Sequence, residues 1–159
     1  MDLRSQIQIE IIILFWLIAL LIEIVRFVKK KNQIIYTDNE NIDIPVLTAE
    51  SYIKNTDVPY YYSLLCRYRT VYNTYFSFKK DEILYKVLKE EVQKNTNIDT
   101  IDMWRGFLFT YKFIVHFLDE TPDLSMWIPA KKQLITVLKI FQEKGIKLTD
   151  NAKNFYQNN

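Results

Sequence analysis

The stretch IDMWRGFLFTYKFIVHFL, residues 101–118, decides how the fold is read. Wound as a helix, it carries two apolar stripes. One is Trp104, Phe107/Leu108, Tyr111, Ile114/Val115 and Leu118; the other is Gly106, Phe109, Phe113 and Phe117. A helix apolar on two sides is central in a bundle or covered by a partner. The second stripe, Gly106, Phe109, Phe113 and Phe117, is therefore a candidate protein interface. Arg105, Lys112 and His116 argue against this stretch crossing a membrane.

Helical spacing continues on both sides. A short helix is expected from Thr48 to Lys54, with Thr48 as N-cap. The next begins near Pro59 and carries Leu64/Leu65, Tyr68, Val71/Tyr72 and Tyr75/Phe76 on one face. A third follows Asp81, with Glu82–Lys86 and Glu90–Lys94 as i,i+4 pairs. Residues 95–100 form a loop. Beyond the LSMW segment, a helix runs from Pro129 to Lys144, burying Leu134, Val137/Leu138 and Phe141 and ending at Gly145. A last helix follows Thr149 and ends at Tyr156. Only two glycines occur, which argues against a turn-rich β sandwich or a glycine-rich phosphate loop. The expected fold class is all-α: one N-terminal transmembrane helix, then a small irregular bundle of about four to six helices.

The N-terminal segment is the most apolar. Ile11 to Ile22 is uninterrupted, bounded by Glu10 and Glu23, and followed by Arg26 and Lys29-Lys30-Lys31. A signal peptide needs a basic leader and a small-residue cleavage site, whereas Asp2 and Glu10 precede the core and no such site follows. A surface-lying helix needs a wide charged face, which Ile11 to Ile22 lacks. Spanning remains: Ile7 to Val28 makes about 33 Å of helix at roughly 1.5 Å per residue, matching a bilayer core. Gln8, Ile12, Ala19, Glu23 and Arg26 fall along one stripe that gathers polar groups and a small residue. Such a face meets other helices, or its charges reach the headgroups. The basic cluster after the span places the following domain on the cytoplasmic or matrix side.

The chain of 159 residues thus divides into an anchor with a basic flank at 1–31, a polar linker at 32–46 with a possible short edge strand from Gln33 to Tyr36, and an α-helical domain at 47–159. Residues 1–31 hold five basic side chains against three acidic ones, and the rest hold 16 of each sign. A neutral domain disfavours nucleic acid, whose binding is mostly phosphate neutralisation. Abundant Ile, Asn, Lys and Tyr with little Ala reads as the codon bias of an AT-rich genome.

Candidate chemistry is sparse. His116 and Glu120 are spaced i,i+4, but two ligands make a poor metal site. Cys66, the single cysteine, reads as an inert buried thiol. Tyr68, Tyr72 and Tyr75, interleaved with Arg67 and Arg69, read as core rather than as a base-stacking surface. An active site would have to gather several of Glu50, Glu90, Asp102, His116 and Glu120. No nucleophile elbow, Walker loop or dinucleotide fingerprint occurs. No catalytic residue, cofactor or metal is therefore expected. The expected function is a non-catalytic, single-pass accessory subunit of a larger membrane complex, with a mitochondrial respiratory-chain or ATP-synthase assembly fitting orientation and composition. The alternatives are an anchored adaptor for soluble proteins or peptides, and an unrecognised anchored enzyme. Expected partners are other membrane subunits and the bilayer, with neither nucleic acid nor a small-molecule substrate.

Overall fold

The structure, a computed structural model, describes residues 3–33, 35–38, 41–52, 74–87, 89–106 and 110–158. A long helix α1 (Leu3–Lys31) leads into strands β1 (Tyr36–Thr37), β2 (Ile42–Ile44), β3 (Thr48–Tyr52), β4 (Phe76–Phe78), β5 (Glu82–Lys86) and β6 (Glu90–Lys94). A 3-10 turn at Asn95–Asn97 precedes β7 (Ile98–Arg105), β8 (Tyr111–Phe117) and β9 (Asp123–Ile128). Helix α2 (Lys131–Glu143), strand β10 (Lys147–Leu148) and helix α3 (Asp150–Gln157) complete the chain.

The strands form two five-stranded sheets, ordered β1-β2-β4-β5-β6 and β10-β7-β8-β9-β3. All pairings are antiparallel except β10 with β7. The all-α bundle expected from the sequence is therefore wrong: the fold is mixed α/β. The reason lies in residues 101–118. Along β8, Tyr111, Phe113, Val115 and Phe117 are buried while Lys112, Ile114 and His116 alternate with them. That is a period of two, suited to a pleated surface. Because outward Ile114 is also apolar, the same residues fill two sides of a helical wheel. The proposed stripe dissolves accordingly. Phe113 and Phe117 lie in the chain's own core, Gly106 follows the end of β7, and Phe109 lies outside the described residues.

Other expected helices are strands for related reasons. Thr48 begins β3, not a helix. The charges at 82–94 were spaced for a helix, but Glu82 stands opposite Lys94 and Lys86 opposite Glu90 across the β5–β6 hairpin. Opposite charges directly across an antiparallel pair are as favourable as i,i+4 pairs. The supposed linker supplies β1 and β2 to the first sheet, with buried Ile42, Ile44 and Val46, and carries the chain into the second sheet at β3. The expected helix beginning near Pro59, with Cys66 and the Arg67–Tyr72 stretch, lies outside the described residues; Phe76 opens β4. Asparagine and aspartate supply turn chemistry that glycine would otherwise give. Asn95 Nδ2 donates to the carbonyls of Lys79 (3.2 Å) and Lys80 (3.0 Å), and Thr121 N–H donates to Asp119 Oδ1 at 2.9 Å.

The two C-terminal helices occur where periodicity places them. In α2, Leu134, Val137, Leu138 and Phe141 are fully buried. Gly145, at φ +78°, ends it: its N–H bonds the Gln142 carbonyl at 2.9 Å and the Ile146 N–H bonds that of Phe141 at 3.0 Å, a Schellman closure. Thr149 Oγ1 caps α3 by accepting from Ala152 N–H.

The inner faces of the sheets meet directly. Phe76 of the first sheet lies edge-on to Phe113 of the second at 5.3 Å, and Tyr85 stacks on Phe117 at 6.5 Å. Phe141 of α2 enters the same cluster, 5.4 Å from Phe78, 5.9 Å from Phe113 and 6.2 Å from Phe76. Phe141→Ala is expected to cost about 3–5 kcal/mol, read as a lowered midpoint in chemical denaturation of the full chain in detergent.

Candidate membrane anchor and its mount

Gln6–Lys31 is long and apolar enough to cross a membrane: its most apolar window has a mean hydropathy of 2.7 and none of it is buried by the rest of the chain. Phe15 and Trp16 are 71% and 68% exposed. Each such side chain gains about 1.5–3 kcal/mol on leaving water, so a continuous sleeve of them is compatible with an apolar surrounding.

The stripe residues occupy α1 as follows. Gln8, Ile12 and Glu23 are exposed, while Ala19 and Arg26 are partly covered. Arg26 Nη1 pairs with Glu23 Oε1 at 3.1 Å, so these two charges are held together on one face. Lys29, Lys30 and Lys31 fill the last turn, where cations complement the carbonyl end of the helix dipole.

The end of α1 is tied to the domain. The last carbonyls of any helix lack partners within it. Here Gln133, in the first turn of α2, reaches them: its Nε2 lies 3.1 Å from Lys30 O, 3.5 Å from Lys31 O and 2.8 Å from Gln33 O. Gln133 is buried. Ile35, just beyond, packs on the main core. The end of α1 is thus hydrogen-bonded to the fold. Sequence reasoning missed Gln133, although the signal was present. It is a polar residue one turn before Val137 on the core-facing side of an amphipathic helix, and buried polar groups need partners.

The candidate carboxylates and His116 do not converge. Glu90 lies on β6 in the first sheet and Glu120 in the exposed turn after β8. Glu50, Asp102 and His116 lie on strands of the second sheet, with Asp102 opposite Ile114, Ile114 opposite Ser125, and Ser125 opposite Glu50. Two intervening strands, each about 4.8 Å wide, keep Asp102 from Glu50. Asp102 Oδ1 also takes bonds from Thr149 Oγ1 at 2.6 Å and Met103 N–H at 2.7 Å. His116 pairs with Asp123 at 2.7 Å rather than with Glu120. Nearby, Lys112 Nζ sits 5.3–5.4 Å from the ring centres of Tyr52, Trp104 and Trp127. That cluster occupies its own cation. Gly106 is required beside it, because a Cβ there would run into the Trp127 ring. The Tyr75 hydroxyl donates to Glu90. Lost hydration and this carboxylate push the phenol up to about 12, leaving it a neutral donor at neutral pH. Among the described residues, no three of His, Cys, Asp and Glu are grouped to hold a metal.

No family model matches the chain, and no curated protein matches its sequence.

Gln133→Ala strips the α1 terminus of its side-chain donor. It is expected to cost about 1–3 kcal/mol and to speed amide exchange at Asn32 and Gln33 while leaving α3 protected.

Proposed function

We propose that the chain is a single-pass membrane protein whose α/β domain serves as a non-catalytic accessory subunit of a larger membrane assembly. The observation that carries this reading is an uncovered apolar helix whose end is hydrogen-bonded into the domain it precedes. Lipid is the surrounding that such a sleeve requires. A mount at the helix end holds the domain at the membrane surface, as suits a subunit that must meet fixed neighbours. The stripe of Gln8, Ala19 and the Glu23–Arg26 pair supports a helix packed against other subunits. The dispersal of Glu50, Glu90, Asp102, His116 and Glu120 supports a non-catalytic role. Lys29–Lys31 support a domain on the cytoplasmic side, or on the matrix side of a mitochondrial inner membrane.

Extraction in mild detergent followed by native sizing tests this. The wild-type chain is expected in a particle several times its own mass. Glu23→Ala with Arg26→Ala should keep the chain in alkali-washed membranes yet release it from that particle. A well-behaved wild-type monomer would defeat the proposal.

A further inference from the structure

We propose that the cavity between the end of β7, the first turn of α2 and one face of α3 binds the phosphate of an anionic phospholipid headgroup. The assignment rests on the reading of α1 as a membrane span.

The cavity has a volume of about 530 Å³. Trp104 and Arg105 line it from β7, Lys131 from α2, Asn151 and Asn154 from α3, and Asn158 from its C-cap. The three asparagines recur at helical spacing along one side of α3 and its C-cap. Asn151 Nδ2 donates to Asp102 Oδ1 at 3.2 Å and to the Met103 carbonyl at 2.6 Å, which leaves the amides of Asn154 and Asn158 as the donors toward the cavity. Among the described residues, two cations line the cavity and no carboxylate does. Neighbouring Asp102 turns its Oδ1 to Thr149, Met103 N–H and Asn151. The Arg105 guanidinium, the Lys131 ammonium and the amides of Asn154 and Asn158 around one space match the oxygens of a phosphodiester.

Its position selects lipid as the source. Lys131 lies two residues before Gln133, in the turn that grips the Lys30 and Lys31 carbonyls. One turn of helix rises about 5.4 Å. The polar layer on each side of a bilayer core is roughly 5–7 Å thick, so Lys131, within a turn of the residue that grips the end of α1, is within reach of the headgroups if α1 spans. Trp104, 52% exposed, is the residue type that favours this interface. Lys29–Lys31 and exposed Lys132 add positive potential beside it. Headgroups held in a membrane are also presented at high effective concentration, which an open, shallow site needs.

The full chain in nanodiscs tests this, using phosphatidylcholine alone or mixed with phosphatidylglycerol, with retained lipid identified by native mass spectrometry. Preferential retention of phosphatidylglycerol is expected. R105Q/K131Q should weaken it about 25-fold, each basic group near an anionic surface being worth roughly fivefold. R105K/K131R should largely restore it, and K153Q, outside the cavity, should change nothing. Equal retention of both lipids overturns the site. So does a double variant with unaltered selectivity, or displacement of the lipid by soluble glycerol phosphate. Terminal tags read from each side of sealed vesicles test the span separately. A chain that spans without headgroup preference overturns the site alone; tags reached from one side only overturn the membrane reading and the site with it.

Discussion

The ring of Phe141 joins everything else. It projects from α2 and touches Phe78 and Phe76 of one sheet and Phe113 of the other, at centroid separations of 5.4, 6.2 and 5.9 Å. Edge-on and tilted aromatic pairs add about 0.5–1.5 kcal/mol each beyond the area they bury. The larger effect is geometric. With Leu134, Val137 and Leu138 fully buried around it, the ring fixes α2 in depth and rotation against both sheets. The first turn of α2 then carries Gln133, and through it the end of α1. The placement of α1 follows from the packing of a phenylalanine two turns away.

How much of this was legible varied with the kind of signal. Helix α1 announced itself through length and all-round apolarity, which no β reading can imitate. Helices α2 and α3 carried end signals as well as periodicity: Gly145 closes one and Thr149 opens the other. The strands lacked such marks. Apart from Gly106 after β7, the described turns between strands rest on Asn95, Asp119 and backbone bonds rather than glycine, so counting glycines misled. Their charges, Glu82, Lys86, Glu90 and Lys94, satisfy a helical spacing and a hairpin register equally well. Residues 101–118 misled most, because an outward Ile114 and half-exposed Trp104 made a one-faced strand pattern resemble a two-faced helix. Pairing between distant segments resolved these ambiguities, and spacing within a segment does not report it.

The candidate functional residues divide the same way. The α1 stripe follows from the sequence because all of it lies on one element. Gln133, Arg105 and Lys131 do not, since their significance depends on which surfaces the fold brings beside the end of α1. His116 is instructive: its partner is Asp123 on the neighbouring strand at 2.7 Å, not the residue one helical turn away.

The Gln133 clasp also fixes an angle. A helix in a bilayer is free to spin about its own axis, and a flexible tether would let its domain face anywhere. Here the azimuth of Gln8, Ala19 and Glu23 is phase-locked to the faces of the two sheets. Each residue added to or removed from α1 between Glu23 and Lys30 would swing the domain by about 100° relative to that stripe. If α1 spans a membrane as proposed, the length of this short segment works as a compass setting, deciding which side of the domain lies over the stripe.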